Sequence, residues 1–153
     1  MLGSLARKLR IFGFDTAYFK QGDDAGLKAI ARREKRVILT SDKSLFERSQ
    51  AEGLAAVLVV GRTDRARLLA VQVSADVRLV SGPTGRASRC AVCNGQLKLL
   101  RRKDVAAAAI PAKVLARHRK FFQCGSCSRF YWRGRHWDRL RRLSHSLKTK
   151  ALT

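Results

Sequence analysis

The sequence predicts an α/β fold, a parallel sheet in three layers, followed by a small metal-stapled domain and a basic tail. Three observations predict it. Short apolar, β-branched runs alternate with amphipathic stretches of about ten residues through residue 80, the pattern of strand–helix–strand crossovers. The periodicity then stops in Ser81-Gly-Pro-Thr-Gly-Arg-Ala-Ser88, where turn formers gather. Beyond it all four cysteines of the chain fall in two Cys-x-x-Cys pairs, Cys90 with Cys93 and Cys124 with Cys127. The expected organisation is an α/β domain over 1–80, a linker over 81–88, a cysteine domain over 89–137 and a basic tail over 138–153.

Taken in order, Leu2, Leu5, Leu9 and Phe12 recur at helical spacing, with Arg7, Lys8 and Arg10 towards the other face and Gly13 as the stop. Asp15 to Phe19 reads as a short strand. Gly22-Asp23-Asp24 opens a helix running to about Glu34, with Leu27, Ile30 and Ala31 inward and acidic residues suited to its N-terminus. Arg36 to Thr40 is a β-branched run of the kind buried on both faces of a parallel sheet, and Ser41-Asp42 leads into a helix over Ser44 to Ala51. Leu54 to Val60 is the next buried strand, Asp64 to Val73 the next helix, and Val77 to Val80 a final edge strand. After the linker, Gln96 to Leu100 is expected as a strand, and Asp104 to His118 as an alanine-rich helical insert interrupted at Pro111. From Asp138 onward, the tail with Arg139, Arg141, Arg142, Lys148 and Lys150 is a basic helix or an arm ordered on binding.

Two knuckles of this spacing bring four thiolates onto one tetrahedral ion, with sulfur distances of about 2.3 Å, and leave no position open for water or substrate. A zinc ribbon with structural zinc is therefore expected from Cys90, Cys93, Cys124 and Cys127. Two disulfides, or two thioredoxin-type redox pairs, are the weaker readings, since neither pair opens a helix after a strand in a βαβ unit.

Charge narrows the partner. The chain carries 33 Lys and Arg against 11 Asp and Glu, a net charge of +22 over 153 residues. Residues 1–86 hold 16 basic and 9 acidic side chains, whereas residues 87–153 hold 17 and 2. A polyanion that releases counterions when bound is the natural ligand. A membrane surface is disfavoured because the cations are spread over a folded sequence and not gathered on one amphipathic helix. No apolar run approaches the roughly 18 residues of a membrane span, and no secretory leader pattern is present, so a cytoplasmic protein with reduced thiols is expected.

In an α/β sheet ligands collect past the carboxyl ends of the strands. Asp42 stands directly after one strand, and Asp23 and Asp24 follow the preceding one by a few residues. Three carboxylates on one rim would hold magnesium or manganese and activate water for phosphodiester hydrolysis. The plainer alternative, which these residues alone favour, is that Asp23 and Asp42 each cap a helix. Three basic runs stand out as phosphate contacts: Arg32, Arg33, Lys35 and Arg36; Arg101, Arg102 and Lys103; and Arg139, Arg141 and Arg142. Arg129, Arg133 and Arg135 interleave with Phe130, Tyr131, Trp132 and Trp137. Aromatics so placed stack on unpaired bases, or else pack the small domain; Phe122, Phe130 and Trp132 suit packing, Tyr131 and Trp137 stacking. His136 suits either a phosphate contact or a hydrogen-bonded packing role.

Met-Leu-Gly-x-Leu-Ala-Arg-x-Leu-Arg-x-x-Gly-Phe-Asp-Thr at 1–16, the Asp-Asp pair at 23–24, Leu-Thr-Ser-Asp at 39–42, Cys90-x-x-Cys93-Asn-Gly, and Cys124-x-x-Cys127 followed by Phe-Tyr-Trp-x-Gly-x-His136-Trp137 stand in the chain in that order. This arrangement resembles the Mut-seven C-terminal RNase family, a PIN-like nuclease domain joined to a zinc ribbon, over about residues 1–138. The resemblance implies that Asp23 or Asp24 and Asp42 match the family's acidic metal-binding positions. It likewise implies that the four cysteines are its zinc ligands, with magnesium or manganese serving any nuclease activity. In the family a short apolar strand ending in Asp precedes the Met-Leu-Gly that here begins the sequence, and Ser stands where this chain has Arg135. The expectation is that first strand and first Asp are missing. A misassigned start, an RNA or second chain covering the sheet, or a loss of catalysis would each account for this, and the charge favours the last. The expected function is thus an RNA-binding scaffold, associated with ribosomal RNA and neighbouring ribosomal proteins, impaired in catalysis and without a small-molecule substrate. The alternative is an active divalent-metal-dependent endoribonuclease; a protein–protein adaptor comes third.

Overall fold

The computed structural model describes residues 2–75, 87–106 and 109–148. Contacts divide them into two units, one formed by residues 1–5 and 17–79 and the other by residues 6–16 and 80–153. The first helix, α1 (Gly3–Ile11), is thus shared in sequence between the two, and residues 6–16 belong with the cysteine-bearing half of the chain. No helix among the described residues is long and apolar enough to cross a membrane.

The first unit is mixed α/β. It contains α2 (Asp24–Glu34), β1 (Ile38–Thr40), α3 (Lys43–Ala51), β2 (Ala56–Leu58) and α4 (Asp64–Ser74). β1 and β2 run parallel, with Ile38, Leu39 and Thr40 opposite Ala56, Val57 and Leu58, and α3 packs on both strands. Each helix starts on a side-chain cap. The backbone N–H of Gly26 donates to Asp23, that of Leu45 to Asp42 and that of Ala66 to Thr63. The interior is aliphatic, made by Ala31, Ile38, Leu45, Val57, Val59, Leu68 and Val71. Ser49, also buried, returns its hydroxyl proton to the Leu45 carbonyl, so it brings no unsatisfied polar group into that core.

The strands expected over Arg36 to Thr40 and Leu54 to Val60 form, but shorter. Lys35 ends α2 in the left-handed region at φ 52°, and the Arg36 N–H turns back to the Ala31 carbonyl, so pairing begins only at Ile38. The strand expected over Asp15 to Phe19 does not form. At Thr16 both backbone groups are taken elsewhere: the N–H donates to the Asn94 side chain and the carbonyl accepts from Arg10. The edge strand expected over Val77 to Val80 lies outside the described residues, as do most of the linker and the end of the tail.

In the second unit three antiparallel strands stand in the order β3 (Leu97–Arg101), β4 (Lys120–Cys124) and β5 (Phe130–Trp132). The helical insert is reduced to a 3₁₀ turn at Arg102–Asp104 and α5 (Ala112–Arg117), which starts directly after Pro111 because proline supplies no N–H to an earlier turn. Val105, Ile110 and Phe121 make a small core, closed by Leu100, Val114, Leu115, Phe130 and Trp132. Phe121 is wholly buried at its centre. Phe121→Ala is expected to cost about 3–5 kcal/mol of stability, seen as a lower denaturation midpoint with little change in the slope of the transition.

The tail folds as a regular helix, α6 (Arg135–Lys148). Leu140, Ser144 and Leu147 are buried at successive turns, while Arg139, Arg141 and Arg142 face solvent. One apolar stripe therefore anchors a helix whose remaining faces are cationic.

Candidate metal centre and its surroundings

The two Cys-x-x-Cys turns are built alike. At the first, the Asn94 N–H donates to the Cys90 carbonyl at 2.9 Å and the Cys90 N–H to the Gly95 carbonyl at 2.8 Å. At the second, Ser128 donates to the Cys124 carbonyl at 3.0 Å and Cys124 to the Arg129 carbonyl at 2.9 Å. Asn94 and Ser128 occupy the same place in their turns and both adopt left-handed backbones, at φ 68° and 58°. The turns approach closely at Gly95, where an added Cβ would stand 2.6 Å from Ser126 Oγ and 2.9 Å from Cys124 Sγ.

All four sulfurs lie within 4.8 Å of one another. Cys90 Sγ stands 3.6 Å from Cys127 Sγ, and Cys93 Sγ 3.4 Å from Cys124 Sγ. A tetrahedron of thiolates at zinc distances has edges of about 3.8 Å, whereas a disulfide needs about 2.05 Å. The residues therefore fit a tetrahedral, thiolate-bound metal such as zinc, and all four cysteines are free thiols. Cys90 and Cys124 are buried; Cys93 and Cys127 are exposed.

The surroundings favour thiolate at two sulfurs and oppose it at a third. Burial pushes the Cys90 thiol up, but the Tyr131 hydroxyl at 2.9 Å, the N–H groups of Cys93 and Val92 and the Cys127 thiol outweigh it and bring it to about 6. Cys124 is also lowered: burial opposes, and the N–H groups of Cys127 and Ser126 prevail. The Gly95 N–H pulls Cys93 down, yet the neighbouring sulfurs of Cys124, Cys127 and Cys90, together with burial, push it up to about 12. Four negative charges cannot share this space without a cation, which a divalent ion bound to all four supplies.

The carboxylates Asp23, Asp24 and Asp42 have other partners. Asp23 and Asp42 cap α2 and α3, at 2.9 Å and 3.1 Å, and Asp24 pairs with Arg48 at 2.6 Å. Among the described residues the four cysteines are the one group of three or more His, Cys, Asp or Glu side chains close enough together to hold a metal. Asp42 does stand just past the carboxyl end of β1, exposed to solvent.

The basic runs divide by unit. In the first, Arg32 pairs with Glu52, to which Lys28 also binds, and Arg33 and Arg36 pair with Glu34. Lys28 and Arg32 hold the Glu52 carboxyl below its usual range, and Arg36 and Arg33 do the same to Glu34. Lys35 caps α2. In the second unit Arg101, Arg102, Lys103, Arg129, Arg135, Arg139 and Arg142 are exposed and have no acidic partner among the described residues, while Arg141 pairs with Asp138 at 3.7 Å. His136 is exposed beside them.

The aromatic rings are engaged internally. Tyr131 bonds to Cys90 Sγ, and Trp137 stacks on buried Phe122, ring centroids 6.2 Å apart and planes 1° from parallel, with the Arg133 guanidinium 5.4 Å from its ring. The exposed large apolar side chains among the described residues are Val37, Val60, Val73, Val92 and Leu99, with no aromatic ring among them.

Two residues of this centre are not evident from the sequence as site residues. Arg10, placed on the outer face of α1 by its charge, is 7% exposed and donates to the carbonyls of Ala91 and Val92 inside the first cysteine turn. Asn94 binds the Thr16 N–H and the Asp15 carboxylate with its side-chain amide. The signal available in the sequence was Ala6, one turn before Arg10, which widens the buried stripe of α1 and leaves room for a long side chain.

No curated protein and no solved structure matches this chain. The family model described as the Mut7-C RNAse domain matches residues 1–144, which take in all four cysteines and every described element up to the middle of α6, and the chain belongs to that family.

Proposed function

We propose that this protein is an RNA-binding scaffold that holds structured RNA, ribosomal RNA in particular, through the phosphate backbone, and that it works in the cytoplasm beside ribosomal proteins. A zinc ribbon, formed by β3, β4, β5 and the two cysteine turns, is its structural core, and the first unit keeps a PIN-like α/β fold. The observation that carries the reading is the set of exposed cations on the second unit that form no ion pair among the described residues, at Arg101, Arg102, Lys103, Arg129, Arg135, Arg139 and Arg142. Cations without acidic neighbours remain available to phosphates, whereas those of the Arg32–Arg36 run are largely neutralised by Glu34 and Glu52. The inward use of Tyr131 and Trp137 leaves phosphates and not unpaired bases as the contact.

Membership of an RNase domain family and the position of Asp42 favour a second reading, a magnesium- or manganese-dependent endoribonuclease using Asp23, Asp24 and Asp42. Asp42→Asn separates the two, because Asn caps a helix as well as Asp does and so removes the charge while sparing α3. The scaffold reading expects purified protein with either metal to leave single-stranded RNA intact on a denaturing gel, wild type and variant alike. Cleavage that the Asn variant abolishes would transfer the assignment to the nuclease.

A further inference from the structure

Arg10 is the one charged side chain buried among the described residues, and it is neutralised by peptide dipoles. Its Nε donates to the Thr16 carbonyl at 2.8 Å, and one terminal nitrogen donates to the carbonyls of Ala91 at 3.0 Å and Val92 at 2.9 Å. The two peptide units whose oxygens it holds carry the N–H groups of Val92 and Cys93. Those N–H groups donate to Cys90 Sγ. A guanidinium thus pulls on one end of each peptide while a thiolate accepts from the other, an arrangement in which each bond polarises the next.

The second cysteine turn has the same backbone but no such cation among the described residues. Ser126 N–H reaches Cys124 Sγ at 3.4 Å, and Gly125 and Ser126 are exposed. Four thiolates around a divalent ion leave negative charge in excess, so a buried positive charge wired to one of them stabilises the loaded centre. The same stretch binds α1 and its extension by further bonds. Arg89 N–H donates to the Arg10 carbonyl at 2.8 Å, Ser88 Oγ to the Ile11 carbonyl at 2.6 Å, and Asn94 holds Thr16 and Asp15. All of these residues belong to one unit.

We propose that Arg10 is a positioning residue for the metal centre: by gripping the peptide units after Ala91 and Val92 it aims their N–H groups at Cys90 Sγ, and so makes metal affinity and the packing of residues 6–16 one cooperative property. This rests on the reading that the four cysteines hold a metal.

The test uses the full chain, with Arg10→Ala and Arg10→Lys, and two readouts: Zn²⁺ affinity by chelator competition, and the sulfur-to-metal charge-transfer band after loading with Co²⁺. Arg10→Ala is expected to weaken Zn²⁺ binding about 10–100-fold and to move the band to lower energy, because a sulfur relieved of N–H donors holds its electrons less tightly. Arg10→Lys keeps the charge but loses the Nε bond to the Thr16 carbonyl that orients the guanidinium, so it should fall between; should the alanine variant fail to fold, the lysine variant is read on the same scale. Unchanged affinity and band in both variants would overturn the proposal. So would weaker binding with an unmoved band, which marks a merely structural role. Wild-type protein that takes up neither ion would instead remove the metal reading itself, and this inference with it.

Discussion

Cys124→Ser is expected to empty the metal centre and unfold the second unit. Cys124 is 1% exposed, ends β4 and stands 3.4 Å from Cys93 Sγ, so its loss removes a ligand, a strand terminus and a core contact together. Structural zinc supplies on the order of 10 kcal/mol of folding energy in small domains, far more than a core of Val105, Ile110 and Phe121 can replace. Elemental analysis should find one zinc per wild-type chain and none in the variant, with the amides of β3 to β5 losing protection from exchange. Chelation should reproduce the loss in the wild type, and acid should do so too, since protons compete for the thiolates. Cys93, pushed up to about 12, is the thiolate that protons reclaim first as pH falls, whereas Cys90, brought down to about 6, keeps its thiolate longest. A second unit that keeps its exchange protection without metal would end the structural-zinc assignment.

RNA affinity is expected to collapse with salt. Arg101, Arg102, Lys103, Arg129, Arg135, Arg139 and Arg142 of the second unit are exposed and form no ion pair among the described residues. If each meets a phosphate, the slope of log affinity against log salt is about −6 for a duplex, a loss of about three to four orders of magnitude between roughly 50 and 200 mM. Arg139→Ala with Arg142→Ala on the solvent side of α6 should make the slope shallower by about two and leave the fold unchanged, since the buried stripe of Leu140, Ser144 and Leu147 is untouched. Changing the base sequence at constant secondary structure should matter little. A flat salt response, or strong preference for one unpaired sequence, would contradict phosphate-based holding.

Much of this was legible in the sequence because the signals were local. Two helices announced themselves through Asp23 and Asp42 at their starts, and the cysteine spacing through the same turn twice over. What was not legible depends on partners distant in sequence. The residues around Asp15 read as a strand because strand propensity is local, whereas the Arg10 and Asn94 side chains that occupy Thr16 are a tertiary fact. Arg10 reads as a surface cation because charge normally faces water, and only the two carbonyls 81 and 82 positions later reverse that. The contacts of Tyr131 with Cys90 and of Trp137 with Phe122 likewise join positions that no local pattern links.

The grip of Arg10 on Ala91 and Val92 also orders events in time. During synthesis the segment 6–16 leaves the ribosome long before the residues that complete it, and its buried cation has nowhere to go until the chain has grown by those 81 positions. Contacts of such separation are slow to form and come late, after local helices and turns. Residues 6–16 are therefore among the last parts to settle, waiting on a cysteine turn far along the chain.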